Sequence, residues 1–122
     1  MNMNLSSFTI LSSATLKEAA QTISGNASRT AIVVSSFKEQ KVIGIVSEGD
    51  IVRALLADAS IHTPVQEIMK RDFTFLTKKQ SEDRPNIRSL FLGRGFGLLP
   101  IVDEDMQLLS VVTMLDFLRE ES

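Results

Sequence analysis

The sequence predicts an α+β fold made of two similar halves whose sheets pack against each other. The first observation is a repeated pattern, a hydroxyl residue, two variable positions, Asp, two apolar residues and Arg, which occurs at 47–53 and again at 113–119. The second is that each copy follows an apolar run typical of a strand and precedes apolar residues at helical spacing. The third is that 122 residues can bury one core but hardly two. We therefore expect tandem repeats of about β-α-β-β-α, related by a pseudo-twofold axis and packed sheet to sheet.

The first half is predicted to hold three strands and two helices. Thr15 and Glu18 form a capping box that begins the first helix, and Gly25 with Asn26 ends it. The helix after Asp50 should place four apolar residues on one side: Val52, Leu55, Leu56 and Ala59. Strands are expected at 8–11, 30–34 and 42–46, with a polar turn at 35–41.

The second half repeats this order after a linker at 60–64 and a short segment at 65–69. A helix carries Ile87, Leu90 and Phe91 on one face, and a last helix follows the final strand. Strands are expected at 73–76, 98–102 and 108–112, and the Phe-Thr pairs at 8–9 and 73–74 are expected to be equivalent. The whole chain, 1–122, is interpreted as one module with repeats at 5–62 and 63–122.

Composition argues against several function classes. The net charge is −2, so no broad basic surface for nucleic acid or an acidic membrane is indicated. The absence of cysteine excludes disulfides, thiol catalysis and thiolate metal sites, and His62 is the sole histidine. No run approaches the roughly 20 apolar residues of a membrane span, and residues 1–9 do not read as a leader. We expect a cytoplasmic protein that is not an enzyme, with no catalytic residues and no metal site.

Both halves resemble cystathionine-β-synthase-type (CBS) domains, and the whole chain resembles a stand-alone CBS pair. The resemblance rests above all on Gly44-Ile45-Val46-Ser47-x-x-Asp50 and Ser110-Val111-Val112-Thr113-x-x-Asp116. The strands at 29–34 and 98–103 and the connector Pro64-Val65-Gln66-Glu67-Ile68-Met69 add to it.

The resemblance implies a non-catalytic regulatory module that binds AMP, ADP, ATP or S-adenosylmethionine in the cleft between the repeats. No other cofactor is implied. CBS pairs often form flat dimers, so a homodimer is expected, with part of its interface on the exposed helices at 52–56 and 117–118. Since the sequence holds no effector domain, the output is expected to pass to an unknown effector protein in trans or through the homo-oligomer.

The resemblance also implies which residues contact the ligand. Asp50 and Asp116 match the carboxylate that accepts hydrogen bonds from the two ribose hydroxyls, and Ser47 and Thr113 match the hydroxyl that faces ribose or phosphate. A carboxylate can accept two hydroxyl donors, and a helix start offers free N–H groups to phosphate. An apolar purine slot is expected from strand-end residues of either half: Ile10, Thr30 and Ala31, or Phe75, Leu99 and Pro100.

Several alternatives remain open at this point. Each hydroxyl with its Asp resembles a capping box, so Ser47 and Thr113 could simply stabilise helix starts. Arg53 and Arg119 lie one helical turn beyond each Asp and, with Arg29, are candidate phosphate contacts, although such arginines are often only solvated. We expect one cleft beside each strand-to-helix junction. Two residues of the second copy, Ser110 in place of Gly44 and Leu115 in place of Gly49, are expected to narrow the second cleft, beside Thr113. The rival hypothesis is a degenerate CBS pair that serves as a ligand-free dimerisation or docking module.

Overall fold

Each half of the chain folds into a three-stranded sheet with two helices, as the repeated pattern predicts. The computed structural model describes residues 4–121, so residues 1–3 and 122 of the predicted module lie outside it. The first half contains β1 (Thr9–Leu11), α1 (Leu16–Asn26), β2 (Thr30–Val34), β3 (Val42–Ser47) and α2 (Glu48–Leu56). The second contains β4 (Leu76–Thr77), α3 (Arg84–Arg94), β5 (Leu98–Val102), β6 (Leu108–Thr113) and α4 (Met114–Glu121). Short 3₁₀ turns lie at Leu5–Ser7, Val65–Glu67 and Gln80–Glu82.

The two sheets have the same topology. In each, the first strand pairs in parallel with the second, and the second pairs antiparallel with the third. Even an irregularity is repeated, since the register shifts between Val33 and Val34 in one hairpin and between Ile101 and Val102 in the other. This confirms the predicted α+β class with tandem repeats.

The equivalence of the Phe-Thr pairs is wrong by one residue. Ile10 pairs with Val33 in β1, whereas Leu76 pairs with Ile101 in β4, so Ile10 corresponds to Leu76. A one-residue slip moves side chains to the opposite face of a strand. The second half also begins its strand only at Leu76, later than the predicted start at residue 73.

The sheets bury a common core between them. It joins Ile32, Val34 and Val42 of the first sheet to Leu98, Val102, Leu108 and Val111 of the second, with Phe8 and Phe73 at its margin. A second cluster lies between the first sheet and its helices, centred on Leu16, Ala19 and Val46, and a third lies below α3 and α4, where Phe91 and Phe117 pack 5.7 Å apart. Burial of these apolar surfaces holds the halves together.

Local signals set the helix ends. Thr15 and Glu18 form the predicted capping box at α1, and Asp83 accepts from the Asn86 N–H at the start of α3. The left-handed residue after α1 is Ala27, at φ 60°, whereas α3 ends at Gly95, at φ 69°. Glycine adopts this conformation without the Cβ strain that Ala27 carries.

The predicted interface helices are exposed only in part. Val52, Leu55 and Leu56 are 48%, 40% and 79% exposed on α2, while the following Ala59 lies past its end and is partly buried. Leu118 is 44% exposed on α4, but Phe117 is 1% exposed because it packs beneath the helix. Phe117 is therefore a core residue, which corrects its assignment to an exposed surface. No helix within residues 4–121 is long and apolar enough to cross a membrane.

The hairpin ends of the two halves are joined by backbone hydrogen bonds. The Val42 N–H donates to the Met106 carbonyl at 2.8 Å, and the Leu108 N–H donates to the Gln40 carbonyl at 2.9 Å. Lys41 and Gln107 form an antiparallel bridge at the same place. The opposite ends of these strands, at Thr30 with Ser47 and at Leu98 with Thr113, therefore form the other end of the molecule.

Candidate functional site

The first strand-to-helix junction is a complete capping box. Ser47 ends β3, and its Oγ accepts from the Asp50 N–H at 3.1 Å, while Asp50 Oδ2 accepts from the Ser47 N–H at 2.9 Å. The hydroxyl and carboxylate thus satisfy two backbone donors that a helix start would otherwise leave free. The capping interpretation is correct for this copy, and it holds the two side chains in fixed positions.

The Asp50 carboxylate has two cationic partners as well. Asp50 Oδ1 lies 2.7 Å from an Arg53 guanidinium nitrogen and 3.5 Å from the Lys70 ammonium, and its side chain is 8% exposed. Burial tends to raise the pKa of Asp50, but hydrogen bonds from Ser47 and Arg53 and the charge of Lys70 outweigh it, so the net pKa lies below its ordinary value of 3.8. Asp50 is therefore a paired, ionised carboxylate at neutral pH.

The second junction is more open. Thr113 ends β6 and is buried, and its Oγ1 accepts from the Asp116 N–H at 3.1 Å. Asp116 Oδ1 lies 3.9 Å from an Arg119 guanidinium nitrogen, and the Asp116 side chain is 47% exposed. Of the two repeated carboxylates, Asp116 is the one that solvent or a ligand can reach more easily.

Both junctions open onto a single cleft between the halves, which we call the large cleft. It has a volume of about 900 Å³. Its walls come from loops and helix starts of both halves: Phe8, residues 26–30, residues 47–49, Val52, Arg53, residues 95–97 and residues 113–116. The sequence led us to expect one cleft beside each junction, whereas here Ser47 and Thr113 face the same space.

A smaller cleft of about 280 Å³ contains the Asp50 side chain, and we call it the Asp50 cleft. It shares Thr30, Ser47 and the 95–97 loop with the large cleft. Its own wall includes Lys70 and Asp72, just beyond the connector, and Arg94 from the end of α3, with Ile45 on β3. The two clefts are therefore neighbours that meet at the strand ends.

The backbones of the two halves also approach closely at Ser28 and Gly97, in the walls of the large cleft. A Cβ on Gly97 would stand 1.8 Å from the Ser28 carbonyl oxygen and 2.9 Å from the Ser28 carbonyl carbon. Only a residue without a side chain fits there. Gly95 turns the chain at a φ of 69°, whereas the need for glycine at Gly97 depends on a contact between the halves that no local pattern reveals.

The 26–30 loop is held by its own hydrogen bonds. Asn26 Nδ2 donates to the carbonyls of Ser7 and Thr30 at 3.0 Å, and Asn26 Oδ1 accepts from the Ser28 N–H at 2.9 Å. Ala27 and Arg29 both have φ near 60°, a conformation that is strained for residues with a side chain. The loop that forms one wall of the large cleft is thus fixed despite local strain.

Of the three arginines predicted to contact phosphate, two line the large cleft and one does not. Arg29 and Arg53 both line the large cleft, and the Arg29 side chain is 85% exposed with Glu48 3.9 Å away. Arg119 pairs with Asp116 on α4 and is not among the residues that line the large cleft or the Asp50 cleft.

The residues of the predicted purine slot lie in three different places. Thr30 lines both clefts, but Ala31, Leu99 and Pro100 are buried in the core and offer no surface to either. Ile10 is 5% exposed and faces a separate groove beside α1. The alternation of side chains along a strand does not reveal which end of the strand opens to a cleft. The loops that precede β2 and β5 are the segments that line the large cleft.

Of the two residues expected to narrow the second cleft, only one lines a cleft. Gly44, the first-copy counterpart of Ser110, packs against the connector: a Cβ on it would meet Met69 Sδ at 2.6 Å, so the space beside Gly44 is filled by Met69 and is not open to a ligand. Ser110 itself lines neither cleft. Leu115, in contrast, does line the large cleft opposite Gly49, and it is 51% exposed.

No group of three or more His, Asp or Glu side chains suited to a metal ion occurs within residues 4–121. Asp72, which lies near Asp50 in the same cleft, is accompanied there by the cations of Lys70 and Arg94. The clefts therefore offer mixed charges, hydroxyls and backbone N–H groups, which suit an organic anion with hydroxyl groups.

Comparison with known proteins agrees with this geometry. The family model for the CBS domain matches residues 3–57 and 65–122. An uncharacterized protein of Methanocaldococcus jannaschii, MJ1225, is 28% identical over 116 residues, and a 17.7 kDa protein of Acidianus ambivalens is 29% identical over 105 residues. These matches cover 85% and 86% of this chain but only 40% and 61% of the two relatives.

Solved structures give the same result. The MJ1225 crystal structure, whose protein is proposed as an archaeal homolog of g-AMPK, superposes with a TM-score of 0.79 over 98% of this chain and 47% of that one, at 28% identity. The cytosolic domain of the Mg²⁺ channel MgtE in complex with ATP shares the fold at 22% identity, with a TM-score of 0.71 over 94% of this chain and 44% of that one. The chain therefore belongs to the CBS domain family, and its two domains form a CBS pair.

Proposed function

We propose that this CBS pair binds an adenine nucleotide or a related adenosyl ligand between its two domains and signals its occupancy to a partner. The candidates are AMP, ADP, ATP and S-adenosylmethionine. The observation that carries the proposal is that both repeated junctions, each with a hydroxyl and a helix start, face the large cleft. Its volume of about 900 Å³ is ample for a nucleotide.

The chemistry of the cleft walls fits such a ligand. At the starts of α2 and α4 the first and third N–H groups already donate within the protein, which leaves the second, of Gly49 and of Leu115, together with the positive ends of the helix dipoles for phosphate oxygens. Arg29 and Arg53 line the same space and can form charge-assisted hydrogen bonds. The half-exposed Asp116 carboxylate can accept two ribose hydroxyls. The ATP complex of the MgtE cytosolic domain, which has the same fold, supports a nucleotide as ligand.

Signalling requires that the ligand bind one arrangement of the halves better than another. A ligand in the large cleft contacts residues from both halves, so its binding energy depends on their relative position. We propose an effector protein in trans and a homodimer as the route for the output. The exposed apolar residues of α2 and α4 are the dimer surface in this proposal: Val52, Leu55, Leu56, Met114, Leu115 and Leu118.

Thermal unfolding with a ligand panel tests this function. Saturation at 100 times Kd stabilises the folded state by about 2.7 kcal/mol, so an adenosine compound should raise Tm in a dose-dependent way. Asp116→Asn should reduce that shift because it removes the open carboxylate, and Asp105→Asn, an exposed carboxylate in the β5–β6 turn, should not. An absence of any shift with AMP, ADP, ATP or S-adenosylmethionine at millimolar concentration would contradict the proposal.

One alternative has its own supporting observations. Asp50 is already satisfied by Ser47, Arg53 and Lys70, and Leu115 projects into the large cleft, as expected of a CBS pair that serves only as a docking or dimerisation module. Mass spectrometry of the purified protein under native conditions separates the two. A retained adenosyl compound would contradict the ligand-free alternative.

A further inference from the structure

Lys70 directly follows the connector, at the beginning of the second CBS domain, and is fixed there by its backbone. The Lys70 N–H donates to the Ile45 carbonyl at 2.8 Å, and the Ile45 N–H donates to the Lys70 carbonyl at 3.0 Å. The preceding Met69 is buried against Gly44, where any larger residue would clash. The main chain of the connector is therefore held on β3, and the Lys70 side chain extends from a defined point at the wall of the Asp50 cleft.

The ammonium of Lys70 competes with a ligand for the same carboxylate. Asp50 Oδ2 accepts from the Ser47 N–H, and Oδ1 faces both the Arg53 guanidinium and the Lys70 ammonium. A carboxylate has about four acceptor positions. Oδ2 uses one for the Ser47 N–H, and Oδ1 uses one for Arg53 and faces Lys70 with the other. A ribose that donates one hydroxyl to each oxygen therefore needs the place that the Lys70 ammonium occupies, and that side chain must move away.

Such a displacement costs little. The side chains of Lys70 and Arg53 are 61% and 66% exposed, so water solvates the cation that moves, while a ribose hydroxyl replaces it as hydrogen-bond donor to the buried Asp50 carboxylate. The two cations are long and flexible, and the Ser47 N–H keeps its hydrogen bond to the other Asp50 oxygen. Exchange of cations for hydroxyl donors is therefore accessible without unfolding the junction.

The two cations beside Asp50 line different clefts. Arg53 lines the large cleft, whereas Lys70 lines the Asp50 cleft. We propose that Lys70 is the phosphate-binding residue of the Asp50 cleft, paired with Asp50 when the cleft is empty and transferred to a ligand phosphate when a ribose takes its place. This inference rests on the proposed function and names the ligand class as a phosphate-bearing nucleoside. S-adenosylmethionine, whose sulfonium is cationic, is disfavoured because the released ammonium repels it.

Isothermal titration calorimetry with AMP and with adenosine tests the inference, because the two ligands differ only in the phosphate. Lys70→Gln should weaken AMP binding by about tenfold, the value of a charge-assisted hydrogen bond, and leave adenosine binding no weaker because Asp50 loses a competitor. Lys17→Gln, which removes the same charge from the exposed side of α1, is the matched control and should change neither affinity. Asp50→Asn should weaken both ligands.

The outcomes separate this inference from the proposed function. If the wild-type chain binds AMP and Asp50→Asn weakens it, but Lys70→Gln changes AMP and adenosine alike or changes neither, the role of Lys70 is refuted and the nucleotide function stands. If binding is insensitive to Asp50→Asn, the ligand does not use this cleft and the inference is refuted. If neither ligand binds the wild-type chain, the inference is refuted, whereas the proposed function fails only if ADP, ATP and S-adenosylmethionine also give no shift in the thermal unfolding panel.

Discussion

Gly97→Ala should destabilise the whole module because it forces the two domains apart where Gly97 packs against the Ser28 main chain. The added Cβ would stand 1.8 Å from the Ser28 carbonyl oxygen, so the backbones must move apart by more than 1 Å to reach an allowed distance. Overpacking typically costs about 1–3 kcal/mol, and we expect about 3 kcal/mol because the obstructing atom belongs to the main chain and cannot rotate away. For a chain of this size that corresponds to a fall in Tm of roughly 10 °C.

Urea unfolding of three glycine variants measures this effect. Gly93→Ala lies within α3 with no atom near its added Cβ, and we expect it to be neutral or to stabilise by about 0.5–1 kcal/mol. Gly95→Ala also has open space but a φ of 69°, so it isolates the conformational strain, about 1 kcal/mol. If Gly97→Ala unfolds at the same urea concentration as Gly93→Ala, with an unchanged slope, the close approach of Ser28 and Gly97 is refuted.

Three further predictions concern charge, capping and assembly. Asp50→Asn should lower the free energy of unfolding by about 1–2 kcal/mol at pH 7. Because the pKa of Asp50 is depressed in the folded state, the stability difference between wild type and variant should shrink as pH falls below the ordinary 3.8. A difference that stays constant in urea unfolding down to pH 2 would refute the pairing. Thr15→Ala should cost about 1 kcal/mol in the same assay at neutral pH, since it removes the α1 capping box, and no change would show that the box contributes nothing. Leu56→Asp should convert a dimer to a monomer in sedimentation velocity, whereas Leu92→Asp, equally exposed on α3, should not; the proposed surface is wrong if both variants stay dimeric.

The elements could be predicted because their signals are local. Capping at Thr15, the β-branched runs and the two hydroxyl-to-Asp junctions all depend on residues within one helical turn or one strand. The exception is β4. Residues 73–76 were predicted to form a strand, but the strand in the structure begins only at Leu76. The predicted equivalence of β1 and β4 was off by one residue, because the two Phe-Thr pairs match in sequence but do not occupy equivalent pairing positions in their sheets.

The site was predicted less completely because its walls come from residues distant in sequence. The junction residues Ser47 and Thr113 were found through their pattern, and they do line the large cleft. Lys70 lies 20 positions from Asp50 and reaches it only because its main chain pairs with β3, which no local signal indicates. The purine slot was assigned to strand interiors that the core covers, whereas the loops at 26–30 and 95–97 form the walls.

The backbone bonds between the hairpin ends determine how the two domains can move. Val42 with Met106 and Leu108 with Gln40 fasten the halves at the end opposite the clefts, at equivalent positions in the two repeats. Any rearrangement that widens the clefts and keeps these bonds is therefore a rotation about the hairpin end and not a sliding of one sheet over the other. The starts of α2 and α4 lie at the end of the molecule farthest from this rotation axis. A small angular change at the hairpins therefore becomes a larger displacement of the helices that carry the exposed apolar surface.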